Sequence, residues 1–435
     1  MACSCHVIKS GELETFWLKP VSVGPSGDGS SHPSSHEVET EPLDLDRDGL
    51  VDIETAIAHL PGPADHKQAW ASRNCKRISW VTTLLADDLK SVDSERATTS
   101  DPSHGEFWHE KDTLKLDAEN DFDQRLLKAK KMHATPEAPQ RFNEEIARQL
   151  HAFVARVAYL CKDSPFHNFE HTLIVVMCAN RILKQLKATS SDSFESSAAA
   201  TFAVLFAALI HDLKASDASE SAENPAANAA WDILQDDNFG ELRTCICASE
   251  AEMKFFWKLV TQVLSVSEET VSSETSQRWN EAFGEGMAQG AEKQSKQVLA
   301  TLEHVIILSQ ATHSLQHWDN FLEWSEKWHE ETSSDMANCS ASVWYRHELN
   351  YFDKFVIPSA EKVKEAGVLG ALGNEILIYA QQNRREWGKS GEQLASKFSI
   401  FDGQEKEGVA RQPSLRKAFI EEASIRCMQA GAWSG

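Results

Sequence analysis

The sequence predicts an all-α protein. Apolar residues recur every three to four positions in one segment after another between residues 142 and 398, which is the repeat of an amphipathic helix. No long segment there alternates apolar and polar residues, as a half-buried strand would. One run, Ala198–Ile210, is apolar almost throughout and predicts a helix that is buried on all sides. These three observations favour a helical main domain over residues 136–400.

The composition limits the classes of partner. The 43 Lys and Arg residues against 66 Asp and Glu give a formal net charge of -23, which repels nucleic acids and anionic membranes. The amino terminus lacks the apolar core of a signal peptide, and no apolar run is long enough to span a bilayer. The nine cysteines are odd in number and scattered, which indicates reduced thiols. We therefore expect a cytoplasmic protein with no membrane span and no nucleic acid partner.

The first 19 residues are predicted to be a unit of their own. Residues 4–18 have the pattern of two short strands around Gly11. The run K-S-G-E-L-E-T-F-W-L within them is similar to the last strand pair of class III nucleotide cyclase domains. That resemblance implies a remnant of a cyclase, and a cytoplasmic chain derived from a membrane-anchored cyclase fusion. An unrelated hairpin is the alternative.

Residues 20–66 are predicted to be a disordered linker with an acidic turn. The first part is rich in Ser, Gly, Pro and His and has almost no large apolar residue, so it cannot form a core. The acidic turn has the side-chain spacing of a calcium loop at Asp44, Asp46 and Asp48, with a glycine at the sixth position. The twelfth position holds Thr55 where a calcium loop has a bidentate Glu. Either these aspartates bind calcium or the segment is a solvated turn.

A helical lead-in is predicted over residues 67–135, and a polar tail over residues 401–435. The lead-in contains an amphipathic helix at 70–92, which packs either on the main domain or on a second copy, so a homodimer is one interpretation. Further helices are predicted from apolar spacing at 142–160, 250–264, 298–308, 318–328, 349–363 and 375–398.

The candidate site is formed by four polar residues at helix ends. His167 and His171 are four residues apart in S-P-F-H-N-F-E-H, so a helix places them one turn apart. The buried run from Ala198 ends in His211-Asp212, which delivers an imidazole and a carboxylate side by side. Imidazole nitrogens and carboxylate oxygens are the usual ligands of divalent ions in hydrolases. We predict a metal site at His171, His211 and Asp212, with His167 free to transfer a proton.

A second interpretation takes H-N-F-E-H as the H-x-x-E-H pattern of inverzincin metalloproteases. His167 and His171 would then both bind zinc, and Glu170 would be the general base. This pattern leaves His211 and Asp212 without a role.

A series of motifs resembles the class I 3',5'-cyclic nucleotide phosphodiesterase catalytic domain, an HD-type helical fold of signal transduction. The motifs are, in order, P-F-H-N-F-E-H, the apolar helix ending in H-D, E-N-P-A-A-N-A-A-W-D-I-L-Q-D-D-N, L-E-H-V-I-I-L-S-Q-A and H-E-L-N-Y-F-D-K-F-V-I-P. The resemblance implies that His167 is the general acid and that His171, His211 and Asp212 bind the tighter metal, usually zinc. Asp212 would also bridge to magnesium or manganese, and Glu223 would support the ligands. The implied reaction is hydrolysis of cAMP or cGMP to the 5'-monophosphate.

The departures from that family concern the metals and the base. The segment after H-D is about twenty residues shorter, and it places Lys214 and Ala215 where the family has V-D-H. The fourth metal ligand, an aspartate in the family, aligns with Gln310. The base-selecting glutamine aligns with Glu348, and the aromatic clamp aligns with Tyr351. The sequence therefore predicts either a phosphodiesterase with a weakened metal site or a phosphodiesterase fold that has lost turnover and acts as a binding or regulatory module.

Overall fold

The computed structural model describes residues 53–98, 141–189, 197–214, 224–266, 273–284, 291–335 and 340–406. The α-helices in these ranges are α1 (Ile53–Ile57), α2 (Ala64–Thr98), α3 (Glu144–Leu160), α4 (Phe169–Thr189), α5 (Ala198–Ile210), α6 (Pro225–Leu234), α7 (Gly240–Ile246), α8 (Glu250–Leu264), α9 (Ser273–Phe283), α10 (Ala291–Gln310), α11 (Trp318–Asp335), α12 (Ala341–Tyr351), α13 (Ile357–Glu365) and α14 (Ala371–Lys406).

The predicted all-α class is confirmed. Pairing of β type within the described ranges is restricted to one antiparallel bridge, between Cys161 and Leu213. None of the helices in these ranges combines the length and apolarity that crossing a lipid bilayer requires.

Helix α5 forms the centre of the core. Every residue from Ala199 to Ile210 is buried, and α2, α4, α8 and α10 pack around the helix. Ser197 caps its amino terminus, since the hydroxyl oxygen accepts a hydrogen bond from the backbone N–H of Ala200 at 3.1 Å. Burial of each large apolar side chain contributes roughly 1.5–3 kcal/mol to stability. The residues that follow α5 are therefore held on a rigid element.

The predicted linker differs from the structure in its last part. Residues 53–57 form α1, with Ile53, Ala56 and Ile57 buried, and the Nε of Arg156 in α3 donates to the carbonyl oxygen of Ala56 at 3.2 Å. The low-apolar composition that predicts disorder ends before these isoleucines, so a short apolar helix can dock. The lead-in helix α2 packs on α1, α3 and α5 within the chain.

The predicted helix 349–363 is interrupted. A π-helical turn, Phe352–Val356, separates α12 from α13, and Pro358 lies in the first turn of α13. Proline has no backbone N–H and its ring clashes with the carbonyl four residues earlier, so the chain widens into a π turn before it. The last helix is longer than predicted and continues to Lys406.

Several predictions fall outside the described residues. They are the cyclase-like segment 4–18, the linker before residue 53, the acidic turn with Asp44, Asp46 and Asp48, the residues Ala215 and Glu223, and the tail after residue 406.

Candidate metal and proton-transfer site

The loop before α4 fixes the direction of the first histidines. Asn168 caps α4, because its Oδ1 accepts hydrogen bonds from the backbone N–H groups of Glu170 (2.9 Å) and His171 (3.1 Å). Its Nδ2 donates to the carbonyl oxygens of Ser164 and Pro165 at 2.9 and 3.0 Å. The asparagine of the H-N-x-x-H motif therefore positions His171 in the first turn of the helix.

The carboxyl end of α5 delivers the other two residues. His211 and Asp212 follow the last buried turn directly. The chain is then held by the bridge between Leu213 and Cys161, the residue that ends α3. Three helices thus converge where His211 and Asp212 lie.

The structure brings His171, His211 and Asp212 together. Their ligand atoms all lie within 4.8 Å of one another, in a group that can hold a metal ion. The Nδ1 of His171 and the Nε2 of His211 each lie 3.0 Å from Oδ2 of Asp212. His171 is 3% exposed and Asp212 is 6% exposed, so this carboxylate is buried between two imidazoles.

The charges of the cluster are those of a ligand set. Burial acts to raise the pKa of Asp212, but the charge of His211 and hydrogen bonds from both histidines outweigh burial and hold the pKa well below its usual value. Burial lowers the pKa of His171, although Asp212 opposes that change. Burial also acts to lower the pKa of His211, and Asp212 more than offsets it, so that pKa is raised. Asp212 and His171 are therefore in the states that a divalent ion requires, whereas the ion would have to displace a proton from His211.

A metal fits the orientation of the imidazoles. The Nδ1 of His211 lies 2.9 Å from the carbonyl oxygen of Ala208, which assigns a proton to Nδ1 and makes Nε2, beside Asp212, the nitrogen that a metal would bind. A backbone partner of this kind is typical of metal-binding histidines. The Nε2 of His171 is buried and makes no hydrogen bond within the described part of the chain. A buried polar atom without a partner calls for an ion or a water.

Next to this cluster, His167 is paired with a carboxylate that the sequence analysis did not single out. The Nδ1 of His167 lies 2.7 Å from Oε1 of Glu331 in α11, and Oε2 of Glu331 accepts the backbone N–H groups of Phe166 and His167 at 2.9 Å each. Burial acts to raise the pKa of Glu331, but these hydrogen bonds outweigh it and lower the pKa to about 2. The His167 and His171 ring centroids are 5.7 Å apart. Glu331 ends the run W-S-E-K-W-H-E-E, so a charged residue at a helix end was the only local signal.

The residues of the metalloprotease pattern are engaged otherwise. Glu170 is paired with Arg77 at 3.1 Å and with Lys327 at 3.7 Å. His167 is not a member of the group that can hold a metal, and His171 finds its partners on α5. The contacts therefore favour separate roles for the two histidines of the motif.

Gln310 ends α10, and a short 3₁₀ helix with His313 follows it. The ring of His313 is fully buried and packs edge-on against Phe166 with centroids 5.1 Å apart. Phe166 in turn lies 4.5 Å from the His171 ring. His313 thus approaches the cluster with Phe166 between its ring and that of His171.

Glu348 and Tyr351 lie on one side of α12, three residues apart and both buried. The ring centroid of Tyr351 is 5.7 Å from that of His313, so these residues are near the site. Two aromatic side chains that pack against His171 were not predicted from the sequence. They are Phe166 and Trp324, and the ring centroid of Trp324 lies 5.6 Å from that of His171. A tryptophan and a phenylalanine at helical spacing look like ordinary core residues in a sequence.

A buried thiol beside the cluster gives a test of the packing. Burial and the charge of Asp212 raise the pKa of Cys161 to about 12, although a hydrogen bond with Thr172 opposes the rise. Burial likewise raises the pKa of Cys245 to about 12. Because alkylation needs the thiolate, iodoacetamide at pH 8 is expected to modify the partly exposed Cys75 and to spare Cys161 and Cys245. Peptide mass mapping measures this.

The control is the protein unfolded in guanidinium, in which all cysteines should react. Labelling of Cys161 in the native protein at the rate of Cys75 would contradict the burial of this side of the site.

Comparison with known proteins yields structural similarity at low sequence identity. No protein-family model matches the chain, and no curated protein sequence matches it. The phosphodiesterase domain of a rhodopsin phosphodiesterase from Salpingoeca rosetta is similar at 16% identity and a TM-score of 0.47, over 64% of this chain and 97% of that one. A second structure of the phosphodiesterase domain from this choanoflagellate is 15% identical with a TM-score of 0.46, over 62% of this chain and 99% of that one. The structure of LmjPDEB1 in complex with IBMX is similar at 15% identity and a TM-score of 0.45, over 56% of this chain and 79% of that one. At this identity, the chemistry of the chain has to be argued from its own side chains.

Proposed function

We propose that this chain is a metal-dependent phosphodiesterase that hydrolyses a 3',5'-cyclic nucleotide, cAMP or cGMP, to the 5'-monophosphate. One observation carries the proposal. His171, His211 and Asp212 converge in a buried group that suits a divalent ion, and a separate histidine, His167, is held beside them by Glu331. A ligand cluster and an independent proton donor are the two parts that this hydrolysis needs.

The roles follow from the contacts. His167 would give a proton to the leaving 3'-oxygen, and its Nε2 is the nitrogen that remains for this purpose because Nδ1 faces Glu331 at 2.7 Å. Glu331 would keep the ring oriented. Asp212 would supply the negative charge of the ligand set. Proton transfer by a positioned group is worth roughly 10²- to 10⁴-fold in rate.

The tighter divalent ion would be held by His171, His211 and Asp212, and in the phosphodiesterase family that the sequence resembles this ion is usually zinc. Asp212 would also bind a second ion, magnesium or manganese. When bound, these ions would act as Lewis acids on the phosphate and provide the attacking water. Gln310 offers a neutral amide where the family has a carboxylate, so we expect weaker metal binding than at a complete site.

The substitution Gln310→Asp tests the proposal. It adds a negative oxygen ligand next to a cluster that has Asp212 as its one carboxylate, so metal content after dialysis against a mild chelator should rise. Hydrolysis of cAMP or cGMP should rise with it, by about tenfold or more if the affinity change resembles that caused by losing a supporting ligand. Elemental analysis of bound metal and chromatographic measurement of the 5'-monophosphate product measure the two effects.

Gln235→Asp is the matched control, because Gln235 is also a partly buried residue at the carboxyl end of a helix. Both substitutions place a negative charge against a helix dipole, which costs about 0.3–1 kcal/mol. Metal content that does not change in Gln310→Asp would contradict the assignment of residue 310. Raised metal content without hydrolysis would instead favour the binding or regulatory module. It would also indicate that the shortened segment that begins at Lys214 causes the loss of activity.

A further inference from the structure

The side of the site that the resemblance assigns to the base is filled by the chain itself. The rings of His313 and Phe355 lie parallel to the ring of Tyr351, at centroid distances of 5.7 and 5.2 Å and interplanar angles of 10° and 21°. Trp328 adds an edge-on contact at 5.1 Å, and Tyr351 is only 7% exposed. A purine that stacked on Tyr351 would have to displace at least one of these rings.

The Glu348 side chain is also buried and hydrogen-bonded within the protein. Its side chain is 0% exposed, and its Oε1 accepts a hydrogen bond from Ser325 Oγ at 2.6 Å. The same hydroxyl oxygen accepts a hydrogen bond from Trp344 Nε1 at 3.4 Å. To form hydrogen bonds with a base, this carboxylate would have to leave the buried Ser325 hydroxyl without its acceptor, which costs about 1–3 kcal/mol.

Two exposed lysines, Lys162 and Lys214, lie close to the cluster in the chain. The antiparallel bridge of Cys161 with Leu213 places Lys162 opposite Asp212 in the chain register and places Lys214 two residues beyond it. The backbone N–H of Lys214 donates to the carbonyl oxygen of Leu160 at 3.3 Å, which fixes this register. Both lysines are exposed, and Lys162 is near enough for its charge to act on His211.

These two lysines differ from the other cations around the site. Arg77 is paired with Glu170, and Lys327 is paired with Glu170 at 3.7 Å and with Glu323 at 2.9 Å. Within the described ranges, neither Lys162 nor Lys214 forms an ion pair. In a chain with a net charge of -23, two exposed cations beside a cluster that can hold a metal ion attract an anion to that point.

We infer that the site binds its ligand through the phosphate group, with Lys162 and Lys214 as the anion-binding residues, and that the base contributes little to affinity. The ligand class is a compact phosphodiester anion whose organic part is not selected. This inference rests on the proposed function, because it takes the cluster of His171, His211 and Asp212 to be the place where phosphate reacts.

Equilibrium binding of three anions to the full chain tests the inference. The ligands are cAMP, cGMP and the cyclic ribose 3',5'-phosphate that lacks a base, measured by calorimetry in metal-loaded protein that carries His167→Ala throughout, so that they are not hydrolysed during the titration. We expect dissociation constants within about threefold of one another. The double variant Lys162→Ala/Lys214→Ala should weaken all three by about tenfold or more, because each charge-assisted contact to phosphate is lost. Raised salt should weaken the wild type more than the double variant.

The matched control is Lys184→Ala/Lys364→Ala. Both residues are exposed lysines, and Lys184 lies on α4 about 20 Å along the helix from His171. This variant has the same net charge as the test variant and should bind like the wild type. Circular dichroism confirms folding of each protein.

The inference is overturned if cAMP or cGMP binds more than about tenfold tighter than the ligand without a base, or if none of the three ligands binds. It is also overturned if the lysine variant and its control behave alike. A wild-type protein that holds metal but has no turnover would contradict the proposed function, and the comparison of dissociation constants would still decide this inference because it needs no turnover.

Discussion

Replacing Asp212 by Asn is expected to strip the protein of bound divalent metal and to abolish phosphoester hydrolysis. Asp212 is the one carboxylate in the cluster, it is ionised, and both imidazoles approach its Oδ2 at 3.0 Å. The asparagine amide has the same shape but is neutral, and its nitrogen has no lone pair available to bind a metal. Loss of a supporting residue costs 10- to 100-fold in metal affinity, so loss of a ligand should cost at least about 100-fold.

The measurement is metal content by elemental analysis after dialysis, together with the rate of cyclic nucleotide hydrolysis. Asp163→Asn is the matched control, since Asp163 is an exposed carboxylate in the loop that leads to His167. It should keep both metal and rate. A fully loaded Asp212→Asn protein would show that the metal lies elsewhere.

Much of this site could be predicted because it depends on local spacing. His211 and Asp212 follow an apolar run that predicts a buried helix. His171 lies in the first turn of α4, but His167 lies in the loop before that helix, so the prediction that one helix places both histidines is wrong. Helical period and burial fix which way such residues face. The convergence of His171 with His211 and Asp212 then follows from the contact of α4 with α5.

Glu331 could not be predicted in the same way. It lies 164 residues from His167 along the chain, and no period of the sequence relates the two positions. The π turn before Pro358 was missed for a different reason, because apolar spacing alone does not distinguish a continuous helix from one that widens by a residue. The filled environment of Tyr351 is also tertiary, since His313 and Trp328 come from other elements.

The substitution His167→Ala is expected to slow hydrolysis by roughly 10²- to 10⁴-fold without lowering metal content. His167 is outside the metal cluster, and its side chain is 31% exposed, so its removal leaves no large buried cavity. Where the wild-type rate is low, the Gln310→Asp background makes the loss measurable. A single-turnover assay separates the chemical step from product release.

Glu331→Gln tests how His167 is held. The amide keeps an oxygen for the backbone N–H groups of Phe166 and His167, but it removes a charge that is present at every working pH, because the pKa of Glu331 is lowered to about 2. The amide is a weaker partner than the carboxylate for the Nδ1 of His167, so the ring should be oriented less strictly and hydrolysis should slow by about tenfold or more at unchanged metal content. A change that disturbed the metal cluster would lower the metal content as well.

The two substitutions should not be additive, because Glu331 acts through His167. The double variant His167→Ala/Glu331→Gln is expected to be no slower than His167→Ala alone, whereas independent roles would multiply the two losses. Glu330→Gln is the control, since Glu330 is the adjacent residue and its charge acts on His329. If His167→Ala keeps the full rate, the proton reaches the leaving oxygen by another route, and the pairing of His167 with Glu331 would then serve only to hold the loop before α4.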